Sequence, residues 1–115
     1  MKKRVIKSER VQKMVIKEVV SRLQYVADMF GGYSVYVENE DKDYRFVTFA
    51  DNRKKAINSF ITSTVIKTID ERLADIIAKY PGVYWLVDTR YDLSDKGDEY
   101  TKAVVEVHAP IEQVK

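Results

Sequence analysis

The chain repeats itself at a shift of 50 residues, and that repeat constrains its fold more than any other feature. Val11 falls on Ile61, Val15 on Val65, Val19 on Ile69, Arg22 on Arg72 and Leu23 on Leu73. Val26 and Ala27 fall on Ile76 and Ile77, and Phe30 on Tyr80. The helix breakers Gly31 and Gly32 fall on Pro81 and Gly82. The apolar run 33–37 falls on 83–87, and Glu38 on Asp88. Apolar meets apolar and turn meets turn without a gap, which is the signature of an internal repeat.

Each repeat reads as a helix followed by two strands. Ser8 is a suitable N-cap. From Val11 the apolar residues recur at helical spacing through Val15, Val19, Leu23, Val26 and Phe30. Gly31 and Gly32 end that helix. Residues 33–38 alternate at period two, residues 39–43 are polar and form a turn, and residues 44–50 return as a second strand. Asp51 or Asn52 is expected to cap the second helix, which runs to Tyr80. The poor helix formers in 58–64 allow a kink. Pro81 and Gly82 stop it. Strands over 83–91 and 100–108 follow, joined by a looser turn and closed by Pro110. The first seven residues read as a basic arm or an extra strand.

The expected fold class is α+β: a duplicated αββ-αββ, four strands in one antiparallel sheet, two long helices packed on one face. One domain spans 1–115, with repeat units over 8–50 and 52–108. Hydrophobic residues make up 45% of the chain and charged residues 33%, which suits a globular protein. The chain has no cysteine, so disulfide staples, thiolate metal sites and cysteine nucleophiles are excluded. No apolar run reaches the ~20 residues of a membrane span. A cytoplasmic protein without a membrane partner is the expectation.

The far face of the sheet carries the functional reading. Alternation assigns to it Tyr36, Tyr44, Phe46, Tyr84, Leu86, Tyr100 and Val104, bordered by Arg90, Lys102 and His108. A solvated antiparallel face ordinarily alternates to polar residues. An aromatic patch of this size calls for a cover. A second copy packed sheet on sheet, unstacked bases and the C-terminal tail are the three candidates.

Two basic clusters add to this. Lys2, Lys3 and Arg4 precede the first helix; Arg53, Lys54 and Lys55 open the second. Cations at a helix N-terminus oppose its dipole, and a bound phosphate would turn that cost into a gain. Solvated lysines are the bland alternative. The expected function is therefore non-enzymatic binding of single-stranded DNA or RNA by a homodimer or higher homo-oligomer. Tyr36, Phe46, Tyr84 and Tyr100 would stack on bases; Lys2, Lys3, Arg4, Arg53, Lys54, Lys55, Arg90 and Lys102 would hold phosphates. The alternative is a homo-oligomeric scaffold or partner-binding module that buries the same face.

Signals for catalysis are thin. His108 is the single histidine. Gly-rich phosphate loops, G-x-S-x-G and H-E-x-x-H are absent, and the acidic run 92–99 does not match a calcium loop. Asp88 and Glu106 support a metal-dependent nuclease only as a distant third reading. No cofactor and no metal are expected. In layout alone the domain looks like the non-OB single-stranded DNA-binding proteins of hyperthermophilic archaea, which pair a small antiparallel sheet with helices. That likeness carries no residue roles. A roadblock-like α/β module has a related order of elements and is the rival fold.

Overall fold

The structure, a computed structural model, describes residues 5–38, 44–51, 63–93 and 99–112. Within these, strand residues 38, 44–46, 51, 88–93 and 99–103 are described by their backbone alone. The elements run α1 (Glu9–Phe30), β1 (Tyr33–Glu38), β2 (Tyr44–Asp51), α2 (Ser63–Lys79), β3 (Tyr84–Leu93) and β4 (Glu99–Pro110). The class is α+β. The four strands form one antiparallel sheet in the order β1-β2-β4-β3.

Local chemistry accounts for the ends of α1. Ser8 is extended and accepts from the Val11 N–H at 3.3 Å, satisfying one of the orphan donors of the first turn. At the other end Gly31 takes φ 71° and donates to the Ala27 carbonyl at 2.7 Å. The α2 end is built differently. Tyr80 lies just past the helix, donates to Ile76 at 2.8 Å, and accepts from Val83 at 2.9 Å across the Pro81-Gly82 turn. Asp51 closes β2 opposite Tyr33. The helix start that Asp51 or Asn52 is expected to cap lies outside the described residues, as does the predicted kink.

One buried cluster contains Val15, Val19, Leu23 and Val26 of α1, Val65, Ile69 and Leu73 of α2, and Val47, Phe49, Val105, Val107 and Ala109 of the sheet. Burial of each such side chain contributes about 1.5–3 kcal/mol. α1 packs on β1, β2, β4 and α2. Residues at the N-terminus join this layer too. Ile6 is buried in the core, and its carbonyl accepts from the Glu112 N–H at 2.8 Å. Ile6 is thus anchored between exposed Val5 and Lys7, and residues 5–7 form no strand. Ile111 packs against the same core. Residues 111 and 112 therefore do not supply the predicted cover of the far face.

Candidate functional site

The pairing register lays out the far face in rows across the strands. One row runs Glu38, Phe46, His108, Tyr84; the next runs Tyr36, Thr48, Glu106, Leu86; a third runs Ser34, Ala50, Val104, Asp88. Further along the β3–β4 hairpin, Arg90 lies directly opposite Lys102, and Asp92 opposite Tyr100. At about 3.3 Å per residue, Arg90 is ~20 Å along the strand from Tyr84, and Tyr100 is ~26 Å from His108.

These rows bring some of the sequence-predicted residues together and separate others. Phe46 and Tyr84 flank His108, with Tyr36 one row away. Tyr100, Arg90 and Lys102 sit at the opposite end of the hairpin. Lys2, Lys3, Arg4, Arg53, Lys54 and Lys55 lie outside the described residues. The side chains of Phe46, Tyr100, Arg90 and Lys102 belong to the stretches described by backbone alone.

The face is less open than alternation predicts. Thr48, Ala50, Val104, Glu106 and His108 are all buried, so Val104 and His108 do not lie on an exposed patch as expected. Tyr36 is half-buried. Exposure is concentrated on β3, where Tyr84 is 49% exposed and Leu86 39%. The two central strands have neighbours on both sides, and the edge strand does not. Alternation by itself cannot distinguish the two.

A buried polar pair underlies the exposed ring. His108 Nε2 lies 3.2 Å from Glu106 Oε2, both side chains being less than one-tenth exposed. The carboxylate orients the imidazole, since a buried charge is tolerated only when hydrogen-bonded. The Tyr84 ring stacks on that imidazole with centroids 4.9 Å apart and an interplanar angle of 1°. Tyr84 is therefore a half-exposed ring with one side packed on the imidazole of the adjacent strand. Glu106 was missed as a member of this site. Its signal in the sequence is a carboxylate within the apolar run 103–107.

A second concavity lies between the helices. It encloses about 310 Å³ and is lined by Met14, Val15, Glu18, Arg22, Asp75, Ile76, Lys79 and Tyr80. Arg22 pairs with Asp75, donates to the Arg72 carbonyl at 2.8 Å and bonds Glu18 at 3.0 Å. The Arg22 guanidinium holds the Asp75 carboxyl below its ordinary value through their hydrogen bond, and the Arg22 pKa is raised in turn. With its cation already engaged three times, this cleft is a helix–helix clasp rather than an anion site.

Among the described residues no group of three or more His, Cys, Asp or Glu could hold a metal ion, and no helix is long and apolar enough to cross a membrane. Comparison of the chain with protein-family models, with curated proteins and with solved structures finds no match.

Proposed function

We propose that this chain is a non-enzymatic, cytoplasmic protein that binds single-stranded DNA or RNA along the β3 side of its far face. The observation that carries the reading is Tyr84: an exposed ring already aligned on buried His108. A base can stack on such a ring with little further loss of side-chain freedom, and stacking is indifferent to sequence. The register position of Phe46 beside His108 extends the aromatic row. Arg90 and Lys102, two like charges at directly opposed positions, gain from a phosphate nearby. The two predicted basic clusters, 2–4 and 53–55, are further phosphate contacts in this reading.

The proposed scaffold is a duplicated αββ unit with both helices on one face. Its support is a self-consistent two-fold. Ser34 pairs with Ala50, and its repeat mate Tyr84 pairs with His108, so β2 maps to β4 at a shift of 58. The same shift carries the Phe46–His108 pair onto Val104–Ala50 and leaves Thr48–Glu106 on the axis. The helices agree. Arg22 meets Asp75, and Arg72 lies over the Tyr25 ring at 4.5 Å; these are one contact made in both directions at the 50-residue shift.

The test is a titration of labelled single strands of about 20 nucleotides, longer than typical site sizes, at two salt concentrations. Tyr84→Ala is expected to cost about 1–3 kcal/mol of affinity with the salt slope unchanged. Replacing Arg53, Lys54 and Lys55 by alanine is expected to weaken all strands alike, and to flatten the slope by about 0.7 log units per lost contact. Wild-type protein without salt-dependent binding overturns the reading. The scaffold reading then takes its place, favoured by the exposed Tyr84, Leu86 and Val87.

A further inference from the structure

We infer that two copies of this chain join edge to edge through β3, antiparallel, about a two-fold axis at Thr89. The inference does not depend on nucleic-acid binding. In the sheet order β1-β2-β4-β3, β3 stands at an edge and pairs only with β4 among the described residues. Its ten residues present a row of backbone donors and acceptors outside the ladder. Natural edges of this length are covered, bulged or guarded by charge. On β3 the charges Asp88, Arg90 and Asp92 alternate along one face, and exposed apolar residues precede them. Tyr84 and Leu86 are exposed on one face of β3 and Val87, 46% exposed, on the other, although its neighbour Val105 is fully buried. Among the described strands the uncovered apolar residues therefore lie at the sheet's edges, three of them on β3 and Val37, 48% exposed, on β1.

The charges on β3 select the occupant and the register. A two-fold perpendicular to the sheet places a residue opposite itself, and opposed positions share a face. Centring on Asp88 or on Arg90 sets like charges against each other. Centring on Leu86 or Val87 brings no opposite charges together. Centring on Tyr91 opposes Arg90 to Asp92 but leaves Tyr84, Leu86 and Val87 outside the pairing. Centring on Thr89 opposes Asp88 to Arg90 of the second copy, twice. It also opposes Val87 to Tyr91, Trp85 to Leu93 and Thr89 to itself, combinations that stabilise antiparallel pairs, against one neutral pairing of Leu86 with Asp92. Within one chain Arg90 already faces Lys102. The second copy's Asp88 lies next in that row and relieves the repulsion. Tyr84 falls just beyond the joined stretch, so the aromatic row stays available at both ends of an eight-stranded sheet.

The chain has no cysteine, so single cysteine variants report the register cleanly. Under mild oxidation without nucleic acid, Thr89→Cys is expected to form a disulfide dimer at least about tenfold faster than Val87→Cys. The two copies of residue 87 would lie about 13 Å apart along the strands, beyond disulfide reach. In sedimentation, the wild type is expected at twice 13.4 kDa. Asp88→Arg is expected to weaken the dimer by about tenfold, and the double swap Asp88→Arg with Arg90→Asp to restore it. A wild-type monomer up to about 100 μM, an open-ended assembly, equal cross-linking at 87 and 89, or no rescue in a double swap that circular dichroism shows to be folded would each overturn it. None of these outcomes involves a nucleic acid, so they leave the binding titration to be judged separately.

Discussion

Gln12 shows how one residue can tie two layers together. It lies among apolar residues of α1, is 2% exposed, and donates through Nε2 to the Ala109 carbonyl of β4 at 2.7 Å. Gln12→Leu keeps the volume and removes the donor, leaving a buried carbonyl unsatisfied. Urea unfolding is expected to show a loss of about 1–3 kcal/mol. Asp75 makes a prediction with a pH axis. Its carboxyl titrates lower in the folded protein than in the unfolded chain, because Arg22 bonds the charged form. Stability from this pair is therefore present above the unfolded aspartate value of about 3.9, and is lost as pH falls through the lower folded value. Asp75→Asn removes that dependence. Its unfolding free energy is expected to match the wild type's trend near neutrality with a small constant offset, and to fall less steeply below about pH 4. Asp75 is largely exposed, so the offset stays within about 1 kcal/mol.

At the scale of elements, the two helix terminators align at the 50-residue shift but differ in physics. Gly31 has φ 71° and ψ 157°, a region that only glycine occupies easily. An added Cβ at Gly31 meets no atom within 4 Å, so the cost of Gly31→Ala is backbone strain alone, about 1–3 kcal/mol. Gly82 also has open space and is not among the positive-φ glycines. Gly82→Ala is expected to change stability by no more than about 0.5 kcal/mol. Thermal unfolding of the two variants side by side checks the contrast. Proline at 81 provides the stop after α2 by removing an N–H, so the following glycine carries no conformational burden.

At the scale of the molecule, the shape follows from unequal strands. β3 and β4 have ten and twelve residues against six and eight in β1 and β2. The long hairpin extends past the first one, consistent with principal extents of 47 × 29 × 17 Å. The radius of gyration is 15.0 Å, against about 13 Å for a compact chain of this length. An elongated molecule whose ten-residue β3 pairs only with β4 among the described residues is the geometry on which both the strand-binding and the edge-pairing readings depend.

Much of this was legible before any coordinates. Helical spacing from Val15 to Ala27, and again from Val65 to Ile76, is set by 3.6-residue periodicity, and those residues are the buried ones. Period-two alternation puts Val47, Phe49, Val105 and Val107 on the face opposite Phe46, Val104 and His108, and these four are in the core, whereas Val37 and Val87 of the same face are exposed. Both patterns are local, so a sequence can carry them. Strand order, burial of the far face and the docking of Ile6 are not local. Alternation tells which face a side chain takes, but not how far that face is covered. Thr48 and Tyr84 alternate alike, yet one lies between two strands and is buried while the other stands at an edge and is half exposed. The Glu106–His108 pair is visible as two polar residues in an apolar strand, but its stacking on Tyr84 required β3 to lie beside β4 in one particular register. Periodicity is a property of the chain, whereas register and edge position arise only when strands distant in sequence meet.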